Sequence, residues 1–354
     1  MSVPLPGQNG SAALQGMDRT LRAVAVGAAV LLAAWALKDV LLLAFAAVLV
    51  ACILRLASGR LAGLTGIGVR WCLPAVVAAL ALSVAMFGWW RGQVIAGQAT
   101  VLAGALRLQA RQVWVWLGQT GWGSTLVDQA RDALSSSLGG VGGYLTGVAG
   151  STLGVLGSVL LVGVAGLFLA ASPAVYVDGA VRLLPPAQRD RGRAVLAETG
   201  SALQKWFLGQ LADMLAVMVL VGIGLYLLDM PLVLTLALFA GLLNFIPFIG
   251  ALAGAVPAVL VALGQSPGTA LWVAGLFAAV QTLEGNVIAP LIQKRTVSLP
   301  PALTLFSQTI LGALFGFLGL ILATPVMAAA LVVVRMAYVE GVLERSGDAD
   351  HGCP

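Results

Sequence analysis

Glu284 is an acid set in an otherwise apolar stretch, in the order Gln281-Thr-Leu-Glu284-Gly-Asn286. At membrane depth a carboxyl group costs roughly 3 kcal/mol or more unless it faces a cavity, finds a partner or takes a proton. The chemistry open to it is solute contact or coupling to a proton or cation. The alternative is a buried, protonated glutamate that cements helix packing. Gln281 and Glu284 are three apart and share a helical face, as do Gln281 and Gly285, so that face could bind a polar solute together with Asn286 nearby. A second polar residue, Asn244, heads the run Asn244-Phe-Ile-Pro-Phe-Ile-Gly250, where Pro247 lacks an amide hydrogen and leaves a carbonyl exposed. Substrate or ion contact and hairpin capping both fit it. Asp213 lies three residues after Gln210, near the expected start of a helix, where an acid complements the positive dipole end; the other reading puts it on the solute path. Gln308 is a lone polar residue in the last apolar segment and could face the same cavity as Glu284.

These groups need apolar elements to hold them, and composition supplies them. The chain has 354 residues, 60% hydrophobic and 9% charged, against about a quarter charged in an average soluble domain. Its apolar runs reach the roughly 20 helical residues that cross a bilayer, so the expected fold is all-α, a polytopic integral membrane protein. The formal charge of +5 reads as topology signal, because no basic cluster is interleaved with aromatics, and nucleic acid drops out as a partner. Cys52, Cys72 and Cys353 are scattered and the single His351 sits in a polar tail, so neither a metal site nor a cofactor is expected. With one histidine, no P-loop and no dinucleotide fingerprint, the chain does not read as an enzyme, and ATP drive from it is excluded.

Along the chain, residues 1–18 read as a disordered cytoplasmic tail and 19–90 as N-terminal transmembrane helices, with runs at 21–37, 40–54 and 72–90. Arg55, Arg60 and Arg70 mark a cytoplasmic loop, and Lys38 with Asp39 an outer turn. Residues 91–149 are mixed in polarity, with helical spacing of Leu102, Leu106, Val113 and Leu117, and read as an external amphipathic helical subdomain. Residues 150–171 cross back, 172–210 form the most basic cytoplasmic loop, 211–335 hold a C-terminal transport core, and 336–354 form a cytoplasmic tail.

The core has its own texture. Two apolar pieces of about 15 residues between Leu232 and Leu263 are each short for a crossing, at about 22 Å. Asn244, Pro247 and Gly250 between them suit a re-entrant hairpin; two tight crossings remain the alternative, with Pro257 interrupting the second piece. The stretch from Leu303 to Val334 is interrupted by Gly312, Gly316, Gly319 and Pro325. If Lys294-Arg295 and Arg335 both lie in the cytoplasm, this stretch must enter and leave on one side, so a second hairpin fits. The expected architecture is about six full crossings plus two hairpins that enter from opposite faces, with both termini cytoplasmic. Broken helices meeting near the midplane are what a transporter would use. Gly250-xxx-Gly254 and Gly312-xxx-Gly316 are small-residue faces for close helix approach.

An ordered set of motifs resembles one family. Asn244-Phe-Ile-Pro-Phe-Ile-Gly250 with Pro257, Leu283-Glu-Gly-Asn286 with Pro290, Leu299-Pro-Pro301 and Phe315-Gly-Phe-Leu-Gly-Leu-Ile-Leu-Ala-Thr-Pro325 are similar to motifs of the bacterial autoinducer-2 exporter family of inner-membrane permeases. Leu184-Pro-Pro186 and Gly209-Gln210 extend the resemblance upstream. It implies a secondary transporter of the inner membrane that exports a small polar solute, such as the autoinducer-2 signal or a related metabolite, and assembles as a homo-oligomer. Some members are associated with sodium or lithium efflux in exchange for protons, so an antiporter is the alternative. A membrane scaffold that does not transport is a third reading, and it needs no intramembrane acid. Partners are then membrane lipid, the solute and a proton or sodium ion.

Overall fold

Lipid offers no hydrogen bonds to a backbone, so long runs of Leu, Ala and Val must satisfy their own amides, and helices do this. The computed structural model describes residues 37–118, 152–293 and 300–343, and these form an all-helical polytopic membrane fold. The tail 1–18, all but the last residue of the expected crossing at 21–37, the segment 119–149, the Lys294-Arg295 pair and the part of the C-terminal tail beyond Leu343 lie outside the described residues.

Helix α1, Lys38–Thr65, is 28 residues and about 42 Å long. It stops at Gly66, whose left-handed φ of 72° turns its N–H back onto the Ala62 carbonyl. Helix α2, Val69–Gly118, runs unbroken for 50 residues. The division set at 90/91 from the sequence therefore falls inside a helix. Helix α3, Thr152–Ala171, lies against α1, with Gly166 on Val50 and the Ala47 carbonyl, and Arg55 Nη1 caps its end by donating to the Ala170 carbonyl at 3.2 Å. Helix α4, Pro173–Arg182, leaves α3 at 87°.

Helix α5, Arg189–Leu227, has 39 residues. The stretch 172–210, read from its arginines as a loop, is thus mostly helical, because its Ala, Leu, Glu, Gln and Lys are good helix formers with no proline after Pro186 to stop them. Asp213 consequently stands 24 residues into α5, far from the N-terminal dipole that was one reading of it. Helices α6, Val233–Leu243, and α7, Ile249–Leu263, follow, then α8, Pro267–Leu283, whose N-cap Ser266 accepts from the Thr269 amide at 3.0 Å. A wider π-helical turn, Glu284–Ile288, leads into α9, Ala289–Gln293. Helix α10, Pro301–Val334, ends the core and continues as a wider turn to Leu343. Among the described residues five helical stretches are long and apolar enough to cross a membrane by length and composition alone, or six if the bent pair α3–α4 counts as one. Helix α10 is among the five, although its backbone leaves the helical conformation at Gly316.

The core sits where α5, α6, α7 and α8 meet, around Val221, Leu225, Leu236, Ala258 and Val273, all at most 1% exposed. Leu102 of α2 joins this cluster, and Gln98 meets Thr235 in a side-chain hydrogen bond. Mixed polarity in that part of α2 thus serves contact with α6 and α7.

Candidate functional site

Both interrupted segments of the C-terminal half are helical hairpins. On the first, a Cβ added at Gly250 would overlap the Leu243 carbonyl, and one at Gly254 would come within 2.9 Å of the Ala240 Cα. The two pairings run in opposite directions, so α6 and α7 are antiparallel and in backbone contact. Their 11 and 15 residues span about 16 and 22 Å, short of the roughly 30 Å hydrocarbon layer. On the second, Gly319 meets the Leu311 carbonyl and Gly312 faces Leu320 at 3.5 Å. Residues eight apart in a straight helix are separated by about 12 Å, so α10 folds back on itself. The reversal is at Gly316, with φ 64° and ψ −143°, a conformation that a Cβ would strain. Pro257 and Pro325 are buried inside the second arms of the two hairpins.

The tip of the first hairpin is the best-anchored part of the site. Asn244 is fully buried, and its backbone carbonyl accepts from Gln210 Nε2 of α5 at 2.8 Å. Its side-chain nitrogen donates to Asp213 Oδ2 at 2.8 Å and to Glu284 Oε1 at 3.2 Å. Three residues on, the Pro247 carbonyl accepts from Gln308 Nε2 of α10 at 3.0 Å and from the Ile249 amide at 2.8 Å. That second bond closes a three-residue turn around Phe248, whose φ of 65° and ψ of −57° store strain of about 1–3 kcal/mol. Trp206 packs edge-on to Phe245, ring centroids 5.9 Å apart, and fixes the other side of the tip. The tip of the second hairpin is held from α1, where Lys38 Nζ donates to the Leu314 carbonyl at 3.0 Å and lies 5.9 Å from the centre of the Phe315 ring.

Glu284 owes its place to a change of helix type. Pro290 lacks an amide hydrogen, and its ring crowds the carbonyl of Asn286. The helix widens instead, and the Ala289 amide reaches five residues back to the Glu284 carbonyl. Such π-turns concentrate at functional sites. Here the turn holds Glu284 at 9% exposure beside Asn244.

These groups border a cavity of about 300 Å3 between α5, the first hairpin, the π-turn and the start of α10. Asp213, Glu284, Gln281, Gln210, Thr304 and Thr324 supply its polar wall, and no lysine, arginine or histidine is among the described residues lining it. Around this site four buried oxygens have no hydrogen-bond partner in the protein: Asp213 Oδ1, Asn244 Oδ1, Glu284 Oε2 and Gln308 Oε1. All four are acceptors when the acids are ionised, and the Asp213 and Glu284 carboxyls are close enough to hydrogen-bond, so the site suits a shared proton or a ligand rich in donors or positive charge.

Of the residues singled out from sequence, Glu284, Asp213 and Gln281 line this cavity together with Pro247. Asn244 and Gln308 sit immediately behind, bonded to its wall. Asn286 stands apart: it is exposed and spends its amide on the Thr282 carbonyl of its own helix at 2.8 Å. Two residues along this wider turn is roughly half a revolution, which carries it away from the face of Glu284. Sequence reasoning did not single out Thr304 and Thr324. Their signal was available, since Thr304 lies one turn before Gln308 and Thr324 directly precedes Pro325.

Residues 24–338 match the family model described as AI-2E family transporter. Among relatives, the chain is 35% identical over 156 residues to the Bacillus subtilis protein named "Putative transport protein YrrI", a stretch that covers 44% of each chain. It is 36% identical over 152 residues to "Putative transport protein MT0215" of Mycobacterium tuberculosis, covering 42% of this chain and 40% of that one. It is 30% identical over 187 residues to "Putative permease PerM" of Escherichia coli K12, covering 52% of each. The chain thus spans about half the length, or less, of these relatives.

Proposed function

The chain belongs to the AI-2E family of transporters, and on that premise we propose that it is a secondary permease of the bacterial inner membrane that moves a small polar solute through the cavity at Asp213, Asn244 and Glu284. The observation that carries this reading is the sharing of one buried amide nitrogen by two acids from different helices, each with its second oxygen left open. Two carboxylates are not left in a membrane interior without a function or strong compensation. A wall without cations disfavours anionic solutes. Donor-rich neutral molecules, including polyhydroxylated signals of the autoinducer-2 type, match the open acceptors, with Thr304 and Thr324 able to exchange hydrogen bonds with hydroxyls.

The same oxygens favour a second reading, a sodium or lithium ion exchanged for protons, because hard monovalent cations take oxygen ligands and the acids could load protons in turn. The two readings separate in proteoliposomes. Efflux of a polyhydroxylated solute without sodium dependence supports the permease; sodium-driven proton movement, followed with a pH-sensitive dye, supports the antiporter. If neither flux exceeds that of empty liposomes while the protein is assembled, transport by this site is refuted and a scaffold role is left.

In this reading the hairpins are the moving parts. By the positive-inside rule the first enters from outside and the second from the cytoplasm, and Ala289, Pro290 and Pro301 on the cavity wall lie toward the cytoplasmic ends of their helices. The cavity is then an inward-facing state, with the Asn244–Phe248 tip as its outer barrier.

A further inference from the structure

Helix α4 is at a right angle to its predecessor. Helix α3 has 20 residues, about 30 Å, and lies along α1, whereas α4 departs at 87° immediately after Ala171. A helix perpendicular to a crossing helix lies in the plane of the membrane. Its depth is marked by Arg55, whose guanidinium caps the last turn of α3 at Ala170.

The two faces of α4 are different. One packs onto α5, with Val181 buried, Leu184 against Gly192, and Asp178 paired to Arg193 at 2.7 Å. The other is apolar yet uncovered: Val175 is 68% exposed, Tyr176 46%, and Leu183, just past the helix end, 88%. Exposed with them are Arg182 and Arg189. Across 173–193 four arginines face only two acids, Asp178 and Asp190, and Arg193 already holds Asp178. Apolar side chains, a tyrosine and an arginine excess on one short helix in the membrane plane are the features of an interfacial anchor.

We propose that α4 is an anionic-phospholipid site, with Val175, Tyr176 and Leu183 inserted at the acyl boundary and Arg182 and Arg189 holding the headgroup phosphate. Charge complementarity selects the occupant, since a zwitterionic lipid would gain the apolar contact but not the arginine contact. Basic side chains near an anionic surface each contribute appreciably to such binding. The site lies outside the transport cavity and stands or falls independently of the solute.

The test uses the full-length protein, incubated in detergent with equimolar phosphatidylglycerol and phosphatidylcholine and read by native mass spectrometry. Wild type retains phosphatidylglycerol preferentially. Arg182→Gln with Arg189→Gln lowers that preference by roughly tenfold, while Arg107→Gln with Arg111→Gln, an equal charge change on α2, leaves it intact. Val175→Ser with Leu183→Ser lowers retention of both lipids. An unchanged melting temperature shows that each variant is folded. No headgroup preference in wild type, equal loss in the α2 variant, or displacement of the lipid by millimolar inorganic phosphate would each overturn the proposal, the last by assigning the arginines to free phosphate.

Discussion

The side-chain nitrogen of Asn244 lies 2.8 Å from Asp213 Oδ2, joining the tip of a helical hairpin to the middle of a helix that begins 55 residues earlier in the chain, at Arg189. The same nitrogen reaches Glu284 at 3.2 Å, so both of its hydrogens are committed to carboxylates. The hairpin tip and the acid pair are therefore one unit: what changes the charge of the acids changes what holds the tip.

Asn244→Ala removes the donor from two buried acids at once. A loss of about 3 kcal/mol in unfolding free energy is expected, because the carboxylates keep their burial and lose their partner. Reversible unfolding in mixed micelles measures it. A loss under about 0.5 kcal/mol would mean that the acids do not depend on the amide.

The glycines of the two hairpins are unequal. Gly319→Ala and Gly250→Ala drive a methyl group into a backbone carbonyl that cannot step aside, with an expected cost of about 3 kcal/mol or more. Gly312→Ala meets only Leu320 at ordinary contact distance and should stay within about 0.5 kcal/mol. Melting temperatures of the three variants give the ranking; Gly312→Ala as damaging as Gly319→Ala would argue against a folded-back α10.

Lys38→Met takes away the hydrogen bond to the Leu314 carbonyl while keeping most of the stem. Amide exchange in 313–318 should quicken several-fold, with the melting temperature barely altered, since an exposed contact contributes about 1 kcal/mol or less. Unchanged exchange in that peptide would show that the second tip is held elsewhere.

Topology has a direct check in single cysteines on a cysteine-free background. Ser266→Cys should label from outside and Val297→Cys from the cytoplasm. Reversed labelling at either site would move the cavity opening to the other face.

Much of this arrangement was legible in the sequence for a physical reason. Polar Glu284 and Asn244, and the Pro247, Gly316 and Pro325 breaks, stand out against apolar surroundings because lipid tolerates them only where protein or a cavity compensates. Asp213 was visible as an acid, but its central position was not, because arginines upstream imitate a loop while their neighbours are strong helix formers. The helical spacing at 98–109 was legible too, but not what that helix meets: Gln98 serves Thr235, Leu102 enters the core and Gln109 lies against Gly264. The π-turn was hidden as well, although Pro290 caused it, since a proline near a helix end more often marks the end.

Transport through this cavity depends on the carboxylate of Glu284, and the most direct test is flux through Glu284→Gln in proteoliposomes, with solute efflux and internal pH recorded together. The substitution keeps the size of the side chain and removes its charge, so assembly and melting temperature should match wild type. Transport should fall by about two orders of magnitude or more, toward the leak of empty liposomes, if the site must load and release a donor-rich or cationic ligand. Flux and pH dependence equal to wild type in correctly assembled Glu284→Gln would contradict the account and leave this glutamate a packing residue.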